Sequence, residues 1–74
     1  MTQRNREFLC SLLKKMRNEA GLLQTELAEK LGKPQSYVSK YESGYKSLDI
    51  FEAKEICDAI GVSFSDFARN IEEL

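Results

Sequence analysis

Histidine is absent from the 74 residues of this sequence. Its absence removes the commonest general base and a favoured metal ligand, which counts against an enzyme. Serine and cysteine remain as nucleophiles without that base, and no glycine-rich phosphate loop is present. No metal or cofactor is expected. Proline occurs once and glycine four times, which favours helix over sheet. No run approaches the roughly 18–20 apolar residues that cross a bilayer, so no membrane association is expected. The opening residues MTQRNREF lack the apolar stretch of a secretory signal, and a cytoplasmic protein is expected. Cysteine occurs only at positions 10 and 57. Two thiols so far apart read as small core residues in a reducing compartment, not as a disulfide framework or a metal site.

What is present is the material of one small globule. Apolar residues make up 42% of the chain, ordinary for a folded domain and too high for a disordered tail. A chain this short buries a modest share of its surface, so each core residue matters. A single domain spanning 1–74 is expected, without linker, repeat or low-complexity segment.

Net charge is −1, yet the charges are segregated. Residues 1–46 hold nine Lys/Arg and five acids, a net of +4. Residues 47–74 hold Lys54 and Arg69 against seven acids, a net of −5. A basic front and an acidic back can orient a protein on a polyanion although the total is near zero.

Periodicity and punctuation predict five helices. Phe8, Leu9, Leu12, Leu13 and Met16 recur at helical spacing, and Gly21 ends the run. Leu27, Ala28 and Leu31 form a short second helix closed by Gly32. A third runs to Gly44, followed by the loop GYKSLD. Asp49 and Glu52 make a capping-box pattern for a fourth helix with apolar positions Ile50, Phe51, Ala53, Ile56, Cys57 and Ile60. Ser63 caps a fifth, with Phe64, Phe67, Ala68, Ile71 and Leu74 along it. No segment alternates with period two, so the expected class is all-α, a compact five-helix bundle.

The third helix, within GKPQSYVSKYESG, is unusually dressed. At about 100° per residue, Gln35, Ser36, Ser39, Lys40 and Ser43 fall on one arc, while Pro34, Tyr37, Val38 and Tyr41 fall on the other. The first arc is short, polar and free of acid. Such a face suits approach to base edges in the major groove, where amides and hydroxyls both donate and accept. Composition alone leaves groove face and ordinary wet face equally open. The preceding helix adds weight. Ala28 is a small residue where two crossing helices would approach, Gly32 permits a tight turn, and Leu27 and Leu31 face Val38 and Tyr41.

GLLQTELAEKLGKPQSYVSKYESG resembles the helix-turn-helix of the Cro/CI-type (XRE-like) DNA-binding family of phage and bacterial regulators. The resemblance continues through LDIFEAKEICDAIGVSFSDF and covers about residues 8–68, with the motif at about 24–43. It implies a lambda-repressor-like fold and a bacterial or phage-encoded protein that binds double-stranded DNA. It implies base reading by Gln35, Ser36, Ser39 and Lys40. Gln24 would contact phosphate, with Gln24 and Gln35 bracing each other. Ser43, Tyr45, Lys46 and Ser47 would lie along the DNA backbone. Tyr37 either packs against the domain or lays its hydroxyl on that backbone. Arg17 and Glu42 stand where some relatives form a buried ion pair, which would account for the one acid on the recognition helix. Leu23 departs from the pattern, since a capping Ser, Thr or Asn is common there. Pro34 likewise stands where a capping Ser is common, a place near a first turn that tolerates proline.

The fifth-helix stripe has more apolar length than a small core needs, so Ile71 and Leu74, with Phe67, are expected to form a two-fold homodimer interface. Such a dimer would place two recognition helices roughly 34 Å apart on a palindrome. The expected function is a sequence-specific transcriptional regulator, repressing by exclusion or activating by touching RNA polymerase. The chain is either a minimal regulator or a domain of a longer protein. The alternative is an adaptor or antitoxin-like protein-interaction module that keeps the fold without reading DNA.

Overall fold

A computed structural model describes residues 3–72. Among them are five α-helices and no strand: α1 Gln3–Glu19, α2 Gln24–Leu31, α3 Gln35–Glu42, α4 Ile50–Ile60 and α5 Phe64–Glu72. They occupy a body of 30 × 24 × 20 Å.

The helix ends follow local chemistry. Asp49 accepts the Glu52 N–H at 2.7 Å while the Glu52 carboxylate accepts the Asp49 N–H at 3.0 Å. That reciprocal box satisfies two otherwise orphaned donors at the start of α4. The Ser63 hydroxyl accepts the Asp66 N–H at 3.1 Å and starts α5. At the start of α2, Leu23 has no side chain able to accept. Glu26 supplies half a box there, its carboxylate taking the Leu23 N–H at 2.8 Å. Pro34 precedes α3 without a side-chain cap. Gly32 ends α2 at φ 66°, and the following Lys33 N–H closes on the Ala28 carbonyl at 3.0 Å. A side-chain-bearing residue would be strained in that left-handed geometry.

The core lies where α1, α2, α3 and α4 converge, with α5 closing one end. Leu13, Leu27, Val38, Tyr41, Ile56 and Cys57 are fully buried, with Leu9, Ala28, Leu48, Ala53 and Phe67 around them. Burial pushes the Cys57 thiol up to about 11, so it stays protonated and behaves as a small apolar group. α2 and α3 make the most extensive helix pairing, followed by α2 with α4. Ala28 is 2% exposed, and its small side chain lets neighbouring backbones come close.

One expectation about an apolar residue needs correcting. Phe67 is only 1% exposed. It packs beside Phe64 with ring centroids 5.6 Å apart. Its side chain is core, so it has no surface to offer a second copy. Ile50 and Phe51 go the other way, 63% and 74% exposed. Helical spacing turns Ala53, Ile56 and Cys57 inward and leaves these first-turn side chains outside. Ile50 and the partly exposed Ile71 edge an apolar recess of about 420 Å³ floored by Leu9, Leu48 and Phe67. Leu74 lies outside the described residues.

Candidate nucleic-acid interface

α3 presents two different surfaces. Val38 and Tyr41 are fully buried and fasten the helix to the domain. Gln35, Ser36 and Lys40 are exposed, and Ser39 is half-buried beside them. No acidic residue lies on that outer arc. The only acid of α3, Glu42, turns inward, its side chain 3% exposed.

Glu42 ends in a network that ties three helices together. Arg17 on α1 donates from Nε to Glu42 Oε2 at 2.7 Å and from Nη2 to Oε1 at 3.0 Å. Its Nη1 donates to the Leu22 carbonyl at 2.7 Å. The hydrogen bonds to Glu42 push the Arg17 pKa above its ordinary value. A planar fork meeting a carboxylate at two points holds angle as well as distance. Gln24 Nε2 then donates to Glu42 Oε1 at 2.9 Å, and Gln35 Nε2 donates to Gln24 Oε1 at 2.7 Å. Arg17, Glu42, Gln24 and Gln35 therefore form a continuous chain from the interior to the exposed start of α3.

Three of the other candidate residues converge on the Lys40 carbonyl at the end of α3. The Ser43 hydroxyl donates to the Lys40 carbonyl at 3.2 Å, helping to finish α3. Tyr45 is 87% exposed. Its N–H and that of Lys46 both reach the Lys40 carbonyl, at 2.9 and 3.2 Å, which folds the loop back against the helix end. Ser47 is exposed, and its carbonyl accepts from Lys46 Nζ at 3.4 Å.

Tyr37 has a partner inside the domain. Its hydroxyl donates to Glu52 Oε2 at 3.2 Å, and its ring meets Tyr41 edge-on at 5.8 Å. Burial, then the Glu52 charge, push the Tyr37 hydroxyl up to about 12. Lys46 shares the same carboxylate oxygen, with Nζ 3.1 Å away. Lys33 and Lys46 each place an ammonium 5.5 Å from the Tyr37 ring centroid, within cation–π range. Glu52 is thus the residue that sequence reasoning missed. As a capping-box acid it has a complete local explanation, and nothing in the spacing signals a tyrosine fifteen residues earlier.

No group of His, Cys, Asp or Glu able to hold a metal occurs among the described residues. No described helix is long and apolar enough to cross a membrane.

Residues 13–67 match the helix-turn-helix family. No curated protein matches the chain. Among solved structures, an XRE-family like protein from Pseudomonas syringae pv. tomato str. DC3000 is 37% identical, with a TM-score of 0.89 over 95% of this chain and 85% of that one. The clp gene regulator ClgR from C. glutamicum is 32% identical, with a TM-score of 0.78 over 84% and 80%. The restriction-modification controller protein C.Esp1396I is 26% identical, with a TM-score of 0.85 over 93% and 91%, and has been solved as a tetramer on its natural 35 base-pair operator. The family match and the 37% identity across nearly the whole chain agree with the fold: this chain belongs to the XRE-type helix-turn-helix family of DNA-binding transcriptional regulators.

Proposed function

We propose that the chain acts as one domain, residues 1–74 with the motif at 24–43, that reads double-stranded DNA by placing α3 in the major groove. Gln35, Ser36, Ser39 and Lys40 meet base edges. Gln24, Ser43, Tyr45, Lys46 and Ser47 meet phosphates, and Tyr37 joins them when its hydroxyl exchanges Glu52 for a phosphate oxygen. Phosphate contacts set the register, and the base contacts choose the site. One observation carries this reading: the exposed arc of α3 holds short polar side chains and a lysine, while its one acid is turned in on Arg17. An ordinary wet face gains nothing from that arrangement, whereas a face near phosphates must exclude acids.

Two copies related by a two-fold axis would read a palindrome. Ile71, with Leu74 beyond it, and the exposed Ile50 beside the recess supply the apolar surface for that dimer. A body 30 Å long and 24 Å across suits two copies side by side with recognition helices one turn of DNA apart, roughly 34 Å. The operator bound by the C.Esp1396I tetramer supports DNA as the partner. Regulation then follows from occupancy, by blocking RNA polymerase or by touching it, without any catalytic step.

Selection of bound sites from random duplex DNA, followed by titration at rising salt, tests this reading. A symmetric enriched motif is expected, with affinity falling steeply as salt increases. No enrichment and no salt dependence would point to a protein-interaction module instead. Sedimentation that shows only monomer at tens of micromolar, with and without the selected DNA, would remove the dimer.

A further inference from the structure

One acid does stand among the residues assigned to phosphates. Glu42 is turned in on Arg17, but the Glu52 side chain is 28% exposed and faces Tyr37 and Lys46. We infer that Glu52 occupies the place of a DNA phosphate in the free chain and so limits sequence-independent binding, by competing for the Tyr37 hydroxyl and the Lys46 ammonium. The inference rests on the proposed reading that these two groups meet phosphates.

The surroundings of Glu52 Oε2 are those of an anion site. The Tyr37 hydroxyl lies 3.2 Å from it and Lys46 Nζ 3.1 Å. Lys33 brings a second ammonium to the same tyrosine, 5.5 Å from the ring centroid. A hydroxyl and an ammonium converging on one anionic oxygen, with another cation beside them, would serve a phosphate oxygen equally well. The Asp49 N–H, then Lys46 and Tyr37, hold the Glu52 carboxyl below its ordinary value, so the acid is charged at neutral pH.

The two oxygens of Glu52 have separate tasks. Oε1 accepts the Asp49 N–H at 3.0 Å and closes the capping box, while Oε2 faces Tyr37 and Lys46. Swinging the carboxylate aside would break the box, so it stays when DNA arrives. A phenol has one O–H to donate. Tyr37 therefore serves Glu52 or a phosphate, not both. Lys46 has three N–H groups and could span two anions. A phosphate oxygen at hydrogen-bond distance from its Nζ would then lie within roughly 6 Å of Oε2, where like charges repel. None of this depends on base sequence, because the groups involved meet only the backbone.

Glu52→Gln separates the two tasks. Glutamine keeps an oxygen for the Asp49 N–H, as capping boxes allow, and turns an uncharged amide nitrogen toward Tyr37 and Lys46. Fluorescence anisotropy at fixed pH and salt reads binding to the selected duplex and to unrelated duplexes. Glu52→Gln should bind both about threefold more tightly, or better. In a chain that also carries Tyr37→Phe and Lys46→Ala, the same substitution should change affinity by less than about twofold. Glu55→Gln makes an equal change of charge at an exposed position of α4 and should have the smaller effect. Equal strengthening by Glu55→Gln, or strengthening that survives the loss of both partners, would make Glu52 a general charge only and overturns the inference. Unchanged or weaker binding by Glu52→Gln overturns it too, and would make the acid a support for Tyr37 and Lys46. If Glu52→Gln does not fold, the unmodified chain decides. Its Glu52 carboxylate carbon resonance should shift as duplex is added, and an unmoved resonance in a chain that binds overturns the inference. A chain that binds no duplex at all removes the reading of α3 itself, and this inference with it.

Discussion

The Arg17 guanidinium grips both carboxylate oxygens of Glu42, at 2.7 and 3.0 Å, with the two side chains only 8% and 3% exposed. Breaking such a pair leaves the surviving charge buried and unpaired. Arg17→Ala or Glu42→Ala should each cost about 3–5 kcal/mol. A domain of this size has a total stability of only about 4–11 kcal/mol, so either variant should be largely unfolded at modest urea. Replacing both residues together with apolar side chains should cost less than the sum. Urea melts of the four species in a double-mutant cycle check this; additive losses would mean that the pair contributes no coupling.

Tyr41 presents the opposite situation. Its ring is 0% exposed, and its hydroxyl has no hydrogen-bond partner among the described residues. Burial raises its pKa, so the group stays neutral. An unsatisfied buried hydroxyl costs about 1–3 kcal/mol of desolvation. Tyr41→Phe removes that cost while keeping the ring, and the midpoint of urea unfolding should rise or stay level. A clear fall would show that the hydroxyl has a partner.

Glu52 links stability to pH. The Asp49 backbone N–H is the main cause that holds its carboxyl below the ordinary value of 4.5, with Lys46 and Tyr37 adding to it. A group whose pKa is lower folded than unfolded binds fewer protons in the native state. Its stabilising contribution is therefore complete above about pH 4.5 and is lost as pH falls through the lowered folded value. Thermal melts should show Glu52→Gln less sensitive than the unmodified chain to acidification below that point. Parallel curves would mean the capping box gives no pH-linked stability.

Lys46 stands between two partners. Its ammonium lies 3.1 Å from Glu52, and the proposed complex offers it a phosphate instead. Lys46→Ala should weaken binding to all duplexes about equally and lower the salt slope by about one. Glu52→Gln, which releases Lys46, should strengthen binding to unrelated duplexes. Fluorescence anisotropy over a salt series measures both, and a sequence-selective loss in Lys46→Ala would place that side chain on a base.

The all-α class and the five helices were legible in the sequence because their signals are local. Asp49 with Glu52, and Ser63 with Asp66, are capping patterns four residues long. Gly21, Gly32 and Gly61 stop helices through their own backbone freedom. Helical spacing likewise separates Val38 and Tyr41 from Gln35, Ser36 and Lys40, because side-chain direction follows residue number within one helix.

What reaches across helices needed the tertiary structure. An apolar stripe shows which residues share a face and not how much of that face the neighbours cover, so Phe67 is core while Ile50 and Phe51 are exposed. Tyr37 on Glu52, fifteen residues away, depends on how α3 meets α4. The chain from Arg17 through Glu42 and Gln24 to Gln35 depends on three helices converging at hydrogen-bond distance. A sequence states that two glutamines and a glutamate are present; only their packing decides that the carboxylate faces the Gln24 nitrogen and that the Gln24 oxygen faces Gln35.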